Sequence, residues 1–424
     1  MAMLETLRNS MRVPGLRKRL LFTIGMLVVI RICAHIPVPG VNLDRLTEVF
    51  GAGGLFDFFD IFAGGAFSQF AIVAMGVTPY INSSIIMQLL TVVIPRLEEL
   101  QKEGEEGRKK IQQYTRYGAV VLGLVQAFGI GYALRSYGAF YSNSWTTLFV
   151  IMVSLTAGTA LVMWIGEEIT EKGIGNGISL IIFANIVSRL PYSIYNEILL
   201  LRAGQRNIFQ PLLVAVVALL MVVFVVIINE AVRKIPVEYA KRVVGRRVVG
   251  GQRTHLPIRI NQAGVIPLIF ASSLMYFPIT IAGFFPNSDF AVFVGRYLDT
   301  RSWWFMLINA LLIVFFTYFY TAITFNPENV ADNIKKNGGF IPGYRPGRPT
   351  AEYLERVSSR LTLVGGLFLA AVTILPITIM SLAGVQNAYI GGSSLLIVVS
   401  VALETTKQLE AQLVMRHYQG FMRT

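Results

Sequence analysis

An all-α integral membrane protein is the fold class this sequence predicts, and three observations predict it. Hydrophobic residues make up 54% of the 424 and charged residues only 14%, about half the charged share of a soluble chain. The mean hydropathy is +0.59. The apolar residues fall in long runs, and a run of about 20 is what crosses a hydrocarbon layer roughly 30 Å thick.

The elements follow in order. Arg8, Arg12, Arg17, Lys18 and Arg19 precede the first apolar run, which ends in His-Ile-Pro-Val-Pro-Gly instead of a small-residue cleavage pattern. It is therefore read as a retained helix and not a signal peptide. Ten spans are expected at about 20–36, 70–94, 117–134, 147–165, 174–190, 211–229, 262–284, 303–325, 361–383 and 391–409. Glu404 and Lys407 interrupt the last, so its end is expected to leave the membrane as an amphipathic helix. The piece "LFDFFDIFAGG" (55–65) is too short to cross and is broken by Asp57, Asp60 and a glycine pair; such pieces are re-entrant or interfacial.

Basic residues set the orientation. With the N-terminus cytoplasmic, the cytoplasmic segments carry 29 Lys and Arg against 7 on the other side, Arg31 lying within the first span. That asymmetry places both termini in the cytoplasm after ten crossings. The acidic loop "GEEITEKG" (166–173) breaks the rule locally. Two cytoplasmic loops are long. Residues 230–261 alternate Val and Ile with Arg and Lys, the pattern of a basic, hairpin-like finger; 326–350, within the loop 326–360, reads as a short helix and a Gly/Pro-rich turn. Topology signalling accounts for their charge but not their length, which suits docking of RNA or an acidic protein surface.

The chain divides into an N-terminal half, 1–190, with spans one to five, and a C-terminal half, 191–424, with spans six to ten. Equal halves of five spans have opposite topology, and the second span of each carries an early proline, in "VTPYINSS" and in "NQAGVIPLIFASS" (261–273). Inverted halves marked this way point to a pathway at their interface. Enzyme chemistry finds little support. His35, His255 and His417 lack metal-ligand spacing, no Gly-rich phosphate loop occurs, and no span holds the paired carboxylates of an ion-coupled pump. Arg31, Glu404 and Lys407 lie near span ends, where they can snorkel.

One stretch is unusual for lipid: "AMGVTPYINSSIIMQLL" (74–90). Val77 and Ile81 share one helical face by i, i+4 spacing, and Thr78 with Asn82, then Ser84 with Gln88, form a polar neighbour. "GIGNGISLIIF" (173–183) repeats the arrangement, with Ile178 and Ile182 beside Asn176 and Ser179. Small-residue helix packing explains any one such helix. Their recurrence favours a shared polar pathway.

Several blocks now carry a resemblance: "GVTPYINSSIIMQLL", "KEGEEGRKKIQQYTRYG" (102–118), "LVMWIGEEITEKGIGNGISLIIF" (161–183), "THLPIRINQAGVIPLIFASS" (254–273), "FNPENVADNIKKNGGFIPGYRPG" (325–347) and "GGSSLLIVVSVALE" (391–404). Over nearly the whole length and in order, the chain resembles the SecY/Sec61-alpha family of protein-conducting channels. The resemblance implies ten helices in two inverted halves around an hourglass pore. Its constriction would be Val77, Ile81, Ile178, Ile182, Ile269 and Ile397, with Val77 smaller than the usual Ile. A plug helix at about 55–67 would carry Leu55, Phe56, Phe58, Phe59, Ile61 and Phe62. A lateral gate between the second and seventh spans would involve Thr78, Asn82, Gln88, Asn261 and Ser272. Arg246, Arg247 and Arg345 would meet the ribosome or the SecA motor.

The implied function is passage of unfolded secretory polypeptides across the cytoplasmic (inner) membrane and lateral release of transmembrane segments into lipid. Implied partners are SecE, SecG, the SecA ATPase, ribosome–nascent chain complexes and signal peptides, with no cofactor and no small-molecule substrate. An apolar ring suits that function, because it excludes ions by dewetting and yields to any side chain. Two other readings stand beside it: a secondary transporter of small solutes, and an assembly subunit of a membrane complex.

Overall fold

The computed structural model describes residues 10–11, 13–42, 63–136, 138–142, 144–204, 207–239, 242–244, 247–249, 253–284, 288–298, 302–382 and 392–421. The expected plug residues Leu55, Phe56, Phe58, Phe59, Ile61 and Phe62, and the finger residue Arg246, lie outside these. Helices dominate. Among the described residues six are long and apolar enough to cross a membrane, or seven when one sharply bent pair counts as a single span. By contacts the chain forms two units, one of Met1–Ile208, Ser273–Ser302 and Val401–Thr424, the other of Phe209–Ser272 and Trp303–Ser400.

In the first unit α1 (Pro14–Cys33) runs to a short bridge where Pro37 pairs with Ala71. Hydropathy places the start of the second span at residue 70, but its helix, α2 (Thr78–Val93), starts eight residues later. Residues 63–77 instead make successive tight turns, with Phe70 at φ 43° and Gly76 at φ 54°. Both are left-handed conformations that stop a right-handed helix. Pro79 then suits the first turn, where its missing N–H costs nothing. At Ile94–Pro95 the chain bends by 100° into α3 (Pro95–Lys102), as expected of a residue held extended before proline.

The helices α4 (Glu105–Ser136), α5 (Trp145–Lys172) and α6 (Gly177–Arg202) follow. Residues 166–172, which read as loop in the sequence, are the last two turns of α5. The Thr170 hydroxyl donates to the Gly166 carbonyl and accepts from the Gly177 N–H, so one side chain bridges the end of α5 and the start of α6. The turn itself is made by Gly173 and by Gly175 at φ 80°. Pro191 lies inside α6, which continues past the expected end at 190. Asp289–Tyr297 form an additional short helix, α9, that the hydropathy pattern does not mark.

In the second unit α7 (Phe209–Glu230) leads into the expected finger. Strand β1 (Val232–Tyr239) pairs antiparallel with β4 (Arg253–Arg259), and β2 (Arg242–Val244) with β3 (Arg247–Val249). Ile235 and Val237 alternate inward, while Arg233, Lys234, Arg253 and Arg259 stay exposed. The other long loop supplies the opposing surface: α11 (Pro327–Lys336), capped by Asn326, and β5 (Gly339–Phe340) on the edge of β1. Together with α12 (Arg348–Leu382) these loops build a core of Ile235, Val237, Ile258, Ala331, Ile334, Ile341 and Leu354, with Tyr344 stacked on Tyr353 at 4.2 Å. Both loops are long because they bury an apolar core of their own.

The remaining helices are α8 (Ile266–Phe284), α10 (Trp303–Thr324) and α13 (Gly392–Phe421). Helix α10 packs along α12, and so do α7 and α11. Facing glycines permit close approach, as where Gly366 meets Val314 and Thr317.

Candidate functional site

Four of the six residues assigned to the constriction lie in the first unit, where α5 is their common support. Val77 is the N-cap of α2 and is buried, and Ile81 donates its N–H to the Val77 carbonyl at 3.0 Å. Directly before them, the carbonyl of Ile72 rests on Gly158 of α5, where any Cβ would collide with it. The start of α2 is held from the other side by α4. The Ser83 hydroxyl donates to the Thr115 carbonyl at 2.7 Å in a buried contact, and Gly118 leaves the space for it. Ser83 therefore faces a neighbouring helix, in the small-residue packing that the sequence allows. Thr78, Asn82 and Gln88 are half-buried.

Ile178 and Ile182 sit in the first turns of α6. Ile182 is buried to 1% exposure, and Ile178 packs against Gly166 of α5 together with Ile181. Asn176, grouped by sequence with the polar residues beside the ring, is exposed. It caps α6, accepting the Ser179 N–H at 3.1 Å. At the cytoplasm-facing end expected for this unit, Arg116 of α4 pairs with Glu167 of α5 at 2.8 Å, and Gln112 donates to the same carboxylate oxygen. This explains two of the acidic-loop charges: Glu167 and Glu168 face cations, Arg116 and Lys172.

Arg31 is engaged within the protein. Its guanidinium donates to the Gly64 carbonyl at 2.9 Å, and Gly64 in turn packs on Asn185 of α6. The sequence offers one signal for this contact, an arginine inside an apolar run followed by a Gly pair. It gives no means of pairing them.

In the second unit Ile269 lies in the first turn of α8 and is half-buried; Ile397 lies early in α13 and is 1% exposed. Asn261, assigned to a lateral gate, is buried and donates to Asn229 Oδ1 at 2.9 Å. Ser272 is also buried. Arg345 is exposed on the turn after β5, its carbonyl accepting from the Thr350 hydroxyl. Arg247 pairs with Val244 in the outer sheet of the finger. Asn229 and Ser400, which complete the Asn261 contact, carry no mark in the sequence. Among the described residues no group of three or more His, Cys, Asp or Glu is placed to hold a metal ion.

Long, apolar, close-packed helices and a basic domain with a core of its own together define a polytopic helical membrane protein. Comparison with known proteins agrees. The SecY family profile matches residues 71–406. The chain is 49% identical to the protein translocase subunit SecY of Halalkalibacterium halodurans, over 99% of this chain and 100% of that one. It is 47% identical to the same subunit of Bacillus subtilis, with the same coverage. The chain belongs to the SecY family. Its fold also matches solved structures: a protein-conducting channel at TM-score 0.67 and 21% identity, covering 94% of this chain and 93% of that one, and Sec61 in the canine ribosome–channel complex from the endoplasmic reticulum at 0.64 and 20%, covering 94% and 93%.

Proposed function

We propose that this chain is the channel-forming subunit of a protein translocase. It passes unfolded secretory polypeptides across the cytoplasmic membrane and releases apolar segments sideways into lipid. It is a multi-pass membrane protein and a channel subunit, not an enzyme. The observation that carries the reading is family membership over 71–406, joined to the placement of Val77, Ile81, Ile178, Ile182, Ile269 and Ile397 on four separate helices.

In this reading those six tips surround one axis at mid-membrane, within two inverted five-span halves, 1–190 and 191–424, of ten crossings. Both termini are cytoplasmic. Residues 55–67 plug the outer funnel. Helices α2 and α8, with Thr78, Asn82, Gln88, Asn261 and Ser272, form the lateral gate. The basic finger and the Arg345 turn receive the ribosome or a motor. Ribosome-bound relatives of this fold support the first partner. SecE, SecG and SecA are proposed by the same kinship, as are signal peptides. A chain with no fixed sequence cannot be held by specific polar sites, so an apolar ring is the physical solution.

The test is single-channel conductance of reconstituted protein. Replacing two or more ring residues by Ser should wet the constriction and let hydrated ions leak, whereas one Ile→Leu change should not. Silent multiple-Ser channels at normal abundance would overturn the ring assignment.

A further inference from the structure

Asn229, the second-last residue of α7, makes two side-chain hydrogen bonds at once. Its Oδ1 accepts from Asn261 Nδ2 at 2.9 Å, and its Nδ2 donates to Ser400 Oγ at 2.8 Å. All three residues belong to the second unit. Asn261 stands at the entry to α8, eight residues before Ile269. Ser400 stands on α13, three residues after Ile397, and i, i+3 neighbours share a helix side. One amide therefore ties together the two elements that carry this unit's constriction residues.

The same amide lies at the root of the basic finger. Two residues after Asn229, the Ala231 carbonyl accepts the Ile260 N–H at 3.0 Å, closing the strand pair, and Ile260 adjoins Asn261. Gly365 of α12 is pressed against the Ile260 carbonyl, so the root is packed from behind. The node is also incompletely satisfied. Asn261 Oδ1 and Gln262 Nε2 are buried with no hydrogen-bond partner among the described residues. A buried polar cluster held by few bonds rearranges at lower cost than a fully paired one.

We propose that Asn229 is a positioning residue of the channel. It holds α8 and α13 so that Ile269 and Ile397 keep their closed placement, and it hands movement of the finger root to both helices. The proposal rests on the constriction reading above. A purely structural role would lower abundance and leave per-channel conductance unchanged.

The experiment uses the full-length chain in planar bilayers with abundance controlled. N229L keeps the side chain's bulk and removes both bonds. Resting open events should rise about thirtyfold, the equivalent of roughly 2 kcal/mol for two hydrogen bonds at about 1 kcal/mol each. S400A removes one of the two bonds and should give a smaller rise in the same direction, and S400T, which retains the hydroxyl, should restore the closed baseline. If N229L does not insert, S400A and S400T carry the test. The double variant I269S/I397S serves as the leak control. Native resting conductance in N229L and S400A, in preparations where I269S/I397S leaks, overturns the positioning role and leaves the ring standing. A rise in N229L without one in S400A overturns the link to α13. A silent I269S/I397S overturns the constriction itself, and this proposal with it.

Discussion

Replacing Gly177 by alanine sets two effects of opposite sign against each other. Alanine is the better helix former, by up to about 1 kcal/mol. A Cβ at Gly177, however, would run into the backbone carbonyl of Gly166 and lie 2.9 Å from Ile169 Cβ. Neither obstacle is the free end of a flexible side chain, so α5 and α6 must separate. Overpacking of this kind costs about 1–3 kcal/mol. Separation also stretches the 2.8 Å bond from the Gly177 N–H to Thr170 Oγ1, a further loss of about 1 kcal/mol. The expected net change is a destabilisation of about 1–3 kcal/mol. It is measured as a fall in the midpoint of thermal aggregation of detergent-solubilised protein. Gly25 of α1 is the internal control, because a methyl group added there would meet nothing within 4 Å; G25A should hold or raise the midpoint. Because Ile178 rests on the same contact, G177A should also raise resting conductance. A G177A midpoint equal to or above the native one would refute the argument that this helix pair is set by backbone contact.

Three further outcomes are expected. L354A removes a side chain with 0% exposure from the core built by the two long loops and should cost about 2–5 kcal/mol. The loss should be local, read as faster proteolysis within 230–261 and 326–360 while the membrane-embedded part stays protected. Charge reversal of Arg246, Arg247 and Arg345 to Glu should weaken ribosome binding, and the native interaction should itself weaken as salt is added; unchanged binding would return these loops to topology signals. R116A should cost no more than about 1 kcal/mol, because Arg116 is 43% exposed and its pair with Glu167 is screened. A larger fall in thermal midpoint would show the pair to be more deeply desolvated than its exposure implies.

The sequence by itself determined what depends on neighbours along the chain. Hydrophobic runs placed the helices, because a segment's own side chains decide whether lipid or water suits it. The Val/Ile alternation of 230–261 marked the finger, and i, i+4 spacing picked out Val77 with Ile81 and Ile178 with Ile182. Composition reports that a face is apolar or polar, not what it meets. Only the tertiary structure decided that α2 begins at Thr78, behind left-handed turns at Phe70 and Gly76, and that α5 runs on to Lys172 through charges that read as loop. It gave Asn176 the role of a helix cap and Ser83 a contact with Thr115 on another helix. Asn229 is the clearest case: its partners lie 32 and 171 residues away. No local pattern encodes such a pairing, because it exists only once packing has brought three separate segments within hydrogen-bond distance.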